Sequence, residues 1–299
     1  MSILYQVDAF TPTPFRGNPA GVVLGADHLA DAQMLAVARE LNNSETAFVL
    51  RADAPDHDVR VRFFTPTTEV PTCGHATVAT HFARALEYGL PSGTLVQKTG
   101  TGLRQRVRVD RDGDRVRIRM HQGTAVFGPE LDGPQVGQLL RALGAAPGDV
   151  AEDGPVQVVS TGHAKVLLAL RDRAAVDALR PDPAALTSLG RALGTHGFFV
   201  FTRATGDARL LTWSRMFAPA IGIPEDPVTG NGHGPLGAYL LRHGIVPAPD
   251  GRLSFTGRQG AAMGRPGDVR VDVATTASGA PDVSISGTAA TVFRTELPV

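Results

Sequence analysis

The chain of 299 residues carries 29 lysine and arginine residues against 29 aspartate and glutamate residues, so its formal net charge is zero. This balance argues against a nucleic-acid-binding protein, because neutralising phosphates needs a basic face. No apolar run approaches the roughly 18–20 residues of a membrane helix, and no charged leader precedes an apolar core at the N-terminus. The composition predicts a soluble, cytoplasmic, globular protein, long enough for two domains of about 150 residues.

Cofactor and metal motifs are missing from the sequence. Cys73 is the single cysteine, which excludes an intramolecular disulfide and a cysteine-rich metal site. The histidines show no spacing typical of a zinc site, and the Gly-rich stretches match neither the Walker A nor the Rossmann fingerprint. We therefore expect no metal and no cofactor.

Taken in chain order, the elements are mostly strands, predicted from alternating or short buried apolar runs. The predicted strands are Ile3–Phe10, Gly21–Leu24, Ala47–Leu50, Val59–Phe64, Arg104–Val109, Arg115–Met120, Val156–Ser160, Lys165–Leu170, Phe198–Thr202, Arg209–Ser214, Val269–Val273 and Val283–Ser286. The predicted helices are Asp31–Leu41, Ala76–Tyr88, Pro134–Leu143, Ala184–Leu193 and Pro235–His243. Asp110–Asp114 is typical of a hairpin turn.

An internal duplication relates the two halves of the sequence. At an offset of 153 residues the matching pairs are Arg62 and Arg215, Phe64 and Phe217, Pro66 and Pro219, Val70 and Ile223, and Pro71 and Pro224. This pattern predicts an α+β protein with two similar, pseudo-symmetric β-rich domains, each wrapped around a central helix. The predicted domains are residues 1–118 and 119–283, and the offset places Cys73 opposite Asp226.

Two Gly-rich segments lead into the two apolar helices, Cys73-Gly-His-Ala-Thr77 and Glu225-Asp-Pro-Val-Thr-Gly-Asn-Gly-His-Gly234. A helix N-terminus preceded by glycine offers backbone N–H groups and a partial positive charge to an anion. Either segment alone is more often a simple turn, but the paired occurrence favours binding of a carboxylated small molecule. The candidate binding residues are Gly74, Ala76, Gly230, Asn231 and Gly232, and His233 is a candidate to reach the same ligand.

Three further residues have open interpretations. Glu45 lies between a predicted helix and a strand, where it either pairs on the surface, as most glutamates do, or enters a cleft where burial raises its pKa. Asn18 lies in a tight turn between two strands and, like Cys73, is a candidate substrate-binding residue. Cys73, at a helix N-terminus, is either a reactive thiol or a small hydrophobic residue. With one cysteine, a mechanism that uses two thiols is excluded.

These segments together resemble one family, the PhzF-like proteins of phenazine biosynthesis, which share the diaminopimelate epimerase fold, and within it the YddE-type branch. The segments that carry the resemblance are Val7-Asp-Ala-Phe-Thr11, Phe15-Arg-Gly-Asn-Pro-Ala-Gly-Val-Val23, Asn43-Ser-Glu-Thr-Ala-Phe48, Arg62-Phe-Phe-Thr-Pro66, Cys73-Gly-His-Ala-Thr77, Glu225-Asp-Pro-Val-Thr-Gly230 and Ile285-Ser-Gly-Thr-Ala289. They occur in order from residue 7 to residue 289.

The resemblance implies an active site in a cleft between two barrel-like halves, with the final strand, within residues 284–299, returning to the first domain. It implies that Glu45 is the catalytic carboxylate, which moves a proton between carbons without a metal or an organic cofactor. It further implies that His75 and Asp226 line the site and that the protein is a homodimer. In diaminopimelate epimerases two cysteines flank the reacting carbon, and Cys73 and Asp226 correspond to those positions.

The sequence departs from the family pattern at Asn231, where serine is frequent, and at Gly232-His233, where small residues are usual. The phenazine substrate is therefore not carried over. The sequence predicts an isomerase or epimerase that acts by acid–base chemistry on a small carboxylated metabolite, with Glu45, His75 and Asp226 as catalytic residues. Two alternatives stay open: a non-catalytic protein that binds a small acid or a partner, and a racemase that uses Cys73 with Asp226 or Glu45.

Overall fold

The computed structural model describes residues 2–298. The strands are β1 (Ser2–Ala9), β2 (Asn18–Leu24), β3 (Thr46–Leu50), β4 (Val59–Phe64), β5 (Glu69–Val70), β6 (Gly93–Thr99), β7 (Arg104–Asp112), β8 (Arg115–Thr124), β9 (Val126–Glu130), β10 (Gln157–Ser160), β11 (Lys165–Ala169), β12 (Gly197–Thr202), β13 (Thr212–Ala218), β14 (Ile223–Asp226), β15 (Arg252–Gln259), β16 (Gly267–Thr275), β17 (Pro281–Gly287) and β18 (Ala289–Leu297). The α-helices are α1 (Asp31–Leu41), α2 (Gly74–Glu87), α3 (Gly133–Leu143), α4 (Arg173–Asp177), α5 (Pro183–Leu193) and α6 (Gly230–Arg242).

The chain divides into two compact units. Unit 1 runs to His121 and resumes at Ser286, and unit 2 comprises Gln122–Ile285. The sequence places the first boundary after residue 118 and the second after residue 283. The last strand, β18, belongs to unit 1, where it pairs antiparallel with β1.

Unit 1 is a sheet built around α2. Its strands pair in the order β18, β1, β2, β3, β4, β6, β7 and β8, and β5 adds to β4. The pairs β2–β3 and β4–β6 are parallel, so each needs a crossover, which α1 and α2 supply. Eleven of the 14 residues of α2 are buried, against β1, β2, β3, β7 and β18. The helix is therefore the core of this unit.

Unit 2 repeats the same connections. Its strands pair in the order β9, β10, β11, β12, β13, β15 and β16, and β14 adds to β13. Here the parallel pairs are β11–β12 and β13–β15, with α4 and α5 in the first crossover and α6 in the second. Ten of the 13 residues of α6 are buried, and the helix packs on β10, β11, β15 and β16.

The repeat extends to individual side chains. In unit 1 the guanidinium of Arg62 donates to both carboxylate oxygens of Glu69, at 2.9 and 2.6 Å. In unit 2 Arg215 does the same to Glu225, at 2.9 and 2.8 Å. Each arginine also lies 5.0 Å from the ring centroid of the phenylalanine two residues later. Two of the pairs found by the sequence offset, Arg62 with Arg215 and Phe64 with Phe217, are therefore structurally equivalent.

The predicted start of α6 is wrong by five residues. Pro235 lies inside the helix, and the Gly-rich run before it is helical from Gly230. Glycine and proline predict a turn from local propensity, but packing overrides it here. A Cβ atom at Gly232 would lie 2.2 Å from Cδ2 of Phe199, and one at Gly234 would lie 1.8 Å from Oε1 of Gln122. These glycines let the helix approach its neighbours.

Other predicted elements are confirmed or shifted. α1 has the predicted bounds, and the hairpin of β7 and β8 closes through Gly113, whose φ is +57°. β13 begins three residues later than predicted and ends at Ala218, with every residue buried. Among residues 2–298 no helix combines the length and apolar character that crossing a membrane requires.

Candidate active site

Glu45 lies directly before β3, after the turn that ends α1. Asn42 ends the helix in the left-handed conformation, with φ +51°. The side chain of Glu45 is only 14% exposed, and its Oε2 atom is buried without a hydrogen-bond partner in the described chain. The interpretation that Glu45 pairs on the protein surface is therefore wrong.

Three polar side chains surround this carboxylate. Nε2 of His75 lies 3.5 Å from Oε2 of Glu45 and 3.4 Å from the hydroxyl of Ser44. Nδ1 of the same imidazole lies 3.4 Å from Sγ of Cys73. Burial raises the pKa of Glu45, and hydrogen bonds from Ser44 and Cys73 oppose the rise. Such a group holds and releases a proton more readily near neutral pH than an exposed glutamate does.

The N-terminus of α2 positions two of these residues. Cys73 is the N-cap, and its carbonyl accepts from the backbone N–H of Thr77 at 3.0 Å and from the Thr77 hydroxyl at 2.7 Å. The preceding N–H groups of the first turn have no partner within the helix, and no acidic residue lies in that turn. Gly74 and Ala76 thus sit where an anion would be stabilised.

Asn18 is the first residue of β2 and is 1% exposed. It pairs with Ala9 of β1. In the parallel pair β2–β3, Gly21 lies opposite Thr46, so the starts of both strands lie at one end of the sheet. Asn18 and Glu45 therefore lie at the same end of unit 1.

The second predicted segment forms a buried polar network within unit 2. Asp226 ends β14 and is 8% exposed. Its carboxylate accepts from the hydroxyl of Thr229, the N-cap of α6. The side-chain amide of Gln259 donates to the carbonyl of Asp226 at 2.6 Å, and its Oε1 accepts from the backbone N–H of Thr229 at 3.0 Å. These contacts fix Asp226 at the helix N-terminus.

The candidate binding residues Gly230, Asn231 and Gly232 differ in whether their backbone N–H groups have partners. The N–H of Gly232 donates to the carbonyl of Thr229 at 3.0 Å, so the predicted use of Gly232 in binding is not supported. Gly230 and Asn231 occupy the first two positions of the helix, where N–H groups have no helical acceptor. Oδ1 of Asn231 accepts from Gln122 at 2.8 Å.

His233 has a structural position. It is fully buried, its Nδ1 lies 3.0 Å from the carbonyl of Thr229, and its ring meets Phe199 edge to face at 5.1 Å. Burial lowers its pKa to about 4, so the ring is neutral at pH 7. The expectation that His233 reaches a ligand is therefore wrong, because the imidazole fills the space between α6 and β12.

The helix boundaries also correct the sequence register. Cys73 and Thr229 are the two N-cap residues, so Thr229, and not Asp226, is the counterpart of Cys73. The segment from Arg215 to the N-cap is three residues longer than the segment from Arg62 to its N-cap. Pairing by constant offset cannot follow such an insertion. Ser44, Thr229 and Gln259 were missed because Ser, Thr and Gln carry no distinctive spacing.

In residues 2–298, only one group of three or more histidine, cysteine, aspartate or glutamate side chains has donor atoms close enough to share a metal ion. Glu45, Cys73 and His75 each offer an atom within 4.8 Å of the others. A thiolate, an imidazole and a carboxylate suit zinc. The same three groups serve acid–base chemistry equally, since a raised carboxylate pKa and an adjacent imidazole are what proton transfer requires.

Comparison with known proteins places these features in a family. The family model described as "Phenazine biosynthesis-like protein" matches residues 7–295. An uncharacterized isomerase of Escherichia coli K12, YddE, is 47% identical over 293 residues, which cover 98% of this chain and 97% of that protein. A trans-2,3-dihydro-3-hydroxyanthranilate isomerase of Pseudomonas aeruginosa is 34% identical over 261 residues, 87% of this chain and 86% of that protein.

A solved structure agrees with the sequence relatives. The crystal structure of a PhzF-family phenazine biosynthesis protein from Bacillus anthracis superposes with a TM-score of 0.90 at 28% sequence identity. The match covers 100% of both chains. The likeness therefore extends over the whole fold.

Proposed function

Because this chain belongs to the phenazine biosynthesis-like family and is an isomerase, we propose that it moves a carbon-bound proton of a small carboxylated metabolite without a metal or an organic cofactor. The observation that carries this proposal is the buried carboxylate of Glu45, 3.5 Å from Nε2 of His75. Its raised pKa makes it both a usable base and a usable acid. The non-catalytic alternative is set aside, since the curated relatives are named isomerases.

The reaction has two proton transfers. The carboxylate of Glu45 takes a proton from an acidic carbon, and the electron pair of that bond moves into the conjugated system of the substrate. The carboxylic acid so formed returns the proton to another carbon or to the other face, which regenerates the carboxylate. Proton transfer by a positioned side chain contributes about 10²–10⁴-fold, so stabilisation of the developing anion supplies much of the remaining rate.

The other predicted residues receive supporting roles. His75 orients Glu45 and donates to developing negative charge, which its position between Ser44 and Cys73 supports. The N–H groups of Gly74 and Ala76 at the N-terminus of α2, and those of Gly230 and Asn231 at the N-terminus of α6, are each suited to binding carboxylate oxygens. Asp226 accepts a hydrogen bond from a substrate hydroxyl or amino group, a role that the anchoring of its backbone and side chain by Gln259 and Thr229 favours.

A racemase mechanism is the second candidate, and the position of Cys73 favours it. Its Sγ atom, Oε2 of Glu45 and a nitrogen of His75 lie within 4.8 Å of one another. The helix dipole stabilises the thiolate form of a cysteine at a helix N-cap, so more of the basic form is present at neutral pH. In this version Cys73 and Glu45 act as the two proton carriers.

The test is solvent-deuterium incorporation. The purified enzyme is incubated in D₂O with a bacterial metabolite extract and, separately, with trans-2,3-dihydro-3-hydroxyanthranilate, the compound named for the Pseudomonas relative. Mass spectrometry then identifies any acid that gains deuterium. We expect at least one carboxylated metabolite to exchange, with equal rates in the presence and absence of EDTA.

The matched variants are Glu45→Gln and Glu40→Gln, the latter on the exposed face of α1. Glu45→Gln is expected to abolish exchange while its thermal unfolding stays cooperative, and Glu40→Gln to exchange at the wild-type rate. Exchange at the wild-type rate in Glu45→Gln would exclude the assigned base. Loss of exchange with EDTA would exclude a metal-free reaction.

Localisation and assembly are part of the same proposal. The sequence composition and the family resemblance support a cytoplasmic homodimer. Fractionation of the source cells and light scattering of the purified protein test the two statements separately. A monomeric mass across micromolar concentrations would exclude the dimer.

A further inference from the structure

Lys165 is a buried lysine that the proposed function does not use. It is one of two lysines in the sequence, the other being Lys98. It begins β11, in which every residue is buried, and is 6% exposed. An ammonium group is rarely buried unless it is paired or has a function, because leaving water is unfavourable for the charged form.

A glycine makes room for the side chain. Lys165 lies opposite Gly197 in the parallel pair β11–β12. A Cβ atom at Gly197 would lie 2.3 Å from Cδ and 2.7 Å from Cε of the lysine, and 3.1 Å from Cε of Met216. The stem of the lysine therefore lies over Gly197, close to Met216 of β13, and Met216 pairs with Asp226 of β14.

The ammonium keeps hydrogen-bonding capacity for a ligand. Its partners in the described chain are the carbonyls of His163 and Ala164, at the long distances of 3.3 and 3.4 Å, whereas an ammonium has three N–H donors. Burial lowers the pKa of Lys165 to about 8, and the nearby charge of Asp226 opposes the shift. The group is thus largely cationic at pH 7.

The surroundings of this ammonium combine basic groups with one carboxylate. Lys165 and His196 both lower the pKa of His163, after the larger effect of burial, so both groups lie within electrostatic reach of that histidine. Asp226, which interacts with the lysine, also accepts from the N-cap of α6, whose first N–H groups are those of Gly230 and Asn231.

We propose that Lys165 is the cationic anchor for the carboxylate of the metabolite, held over Gly197 beside the N-terminus of α6. The inference rests on the proposed function for the identity of the ligand as a carboxylic acid. It adds a cationic side chain to anion-binding groups that are otherwise backbone N–H groups. A hydrogen bond between an ammonium and a carboxylate is stronger than one between neutral groups.

Lysine-selective NMR tests the anchor directly, because the chain has only two lysines. Protein with ¹³Cε-labelled lysine is titrated with formate, lactate and benzoate, and separately with formamide, lactamide and benzamide. We expect at least one carboxylate to shift the Lys165 signal saturably and to raise its pKa, and no amide to do so. Lys98, which is paired with Asp53 at 3.0 Å, is expected to stay unchanged.

Two variants separate an anchor from a structural lysine. Lys165→Met assigns the signal and is expected to weaken carboxylate binding at least about tenfold, measured by calorimetry. Gly197→Ala keeps the lysine but displaces its stem, so we expect the same loss of carboxylate affinity. Lys98→Met is the matched control, with unchanged affinity. If all three carboxylates leave Lys165 unshifted up to about 50 mM, well above the Kd of a millimolar ligand, the anchor is refuted.

The two proposals fail in different experiments. Glu45→Gln is expected to lose deuterium exchange but to keep the carboxylate-dependent shift of Lys165. Deuterium exchange that persists in Glu45→Gln refutes the role of Glu45 as the base and does not affect the role of Lys165 as the anchor. If the enzyme exchanges deuterium through Glu45 but carboxylates do not shift the Lys165 signal, the role of Lys165 as the anchor is refuted. The role of Glu45 as the base is then unaffected.

Discussion

The imidazole of His75 contacts both the thiol of Cys73 and the carboxylate of Glu45, with Nδ1 3.4 Å from Sγ and Nε2 3.5 Å from Oε2. The residues come from a helix N-terminus and from the start of a neighbouring strand. The same ring therefore contacts both candidate proton carriers, the thiol and the carboxylate. Exchange rates of variants at the two positions distinguish between them.

Replacing Cys73 by alanine is the first prediction. If Glu45 alone carries the proton, Cys73→Ala loses less than about tenfold in deuterium exchange, whereas Glu45→Gln loses roughly 10²–10⁴-fold. The racemase mechanism, with Cys73 and Glu45 as the two proton carriers, instead predicts comparable losses in both variants, because each group is then required. Rates of deuterium gain, followed by mass spectrometry on the same metabolite, compare the two variants. Equal loss in both would indicate that the two groups act as a pair.

The raised pKa of Glu45 gives a prediction about stability and pH. The native state binds the Glu45 proton more tightly than the unfolded chain does, so unfolding releases it between the two pKa values. The contribution of this residue to stability therefore falls as pH rises from the unfolded value through the native one. Glu45→Gln removes the buried charge and is expected to raise Tm by at least about 2 °C at pH 8.

The measurement is thermal unfolding of both proteins from pH 4 to pH 8. The gain in Tm is expected to be small at the acidic end, where the wild-type carboxyl is protonated, and to grow toward pH 8. Glu40→Gln, on an exposed position, is the control and should show no such trend. A pH-independent difference between Glu45→Gln and wild type would contradict the burial argument.

Packing of α6 gives a prediction about glycine. A Cβ atom at Gly232 would lie 2.2 Å from Phe199, so Gly232→Ala must move a core ring and is expected to cost about 1–3 kcal/mol. Gly137, inside α3, has only Nη1 of Arg141 near its added Cβ, at 3.5 Å. Gly137→Ala is therefore expected to stabilise by up to about 1 kcal/mol. Urea denaturation measures both, and destabilisation by Gly137→Ala would contradict the distinction.

The contrast between those glycines shows what the sequence can and cannot predict. Glu45 and the two Gly-rich segments are recognisable as candidate site residues because their motifs occur in order along the chain. The start of α6 is not recognisable, because a Gly-Asn-Gly-His-Gly run has turn propensity, and only contact with Phe199 and Gln122 explains its helical form. The sequence also does not predict Lys165 as a site residue, because a single lysine at the start of a strand forms no motif. Only the structure shows that its stem lies over Gly197.

The repeated arginine–glutamate pairs give the last prediction. Arg215 and Glu225 are 8% and 17% exposed at their side chains, whereas Arg62 and Glu69 are 15% and 28% exposed. Arg215 also donates to the carbonyls of Val176 and Leu179. Removing one partner of a buried pair leaves the other charge uncompensated, so Arg215→Met is expected to cost about 3–5 kcal/mol.

The equivalent change in unit 1 supplies the comparison. Arg62→Met is expected to cost less, because Glu69 is more accessible to water. The double variant Arg215→Met with Glu225→Met is expected to recover part of the loss, since it removes the uncompensated carboxylate. Urea unfolding of the three proteins measures these differences. A double variant less stable than Arg215→Met would mean that the carbonyl contacts of Arg215, and not the ion pair, stabilise this part of unit 2.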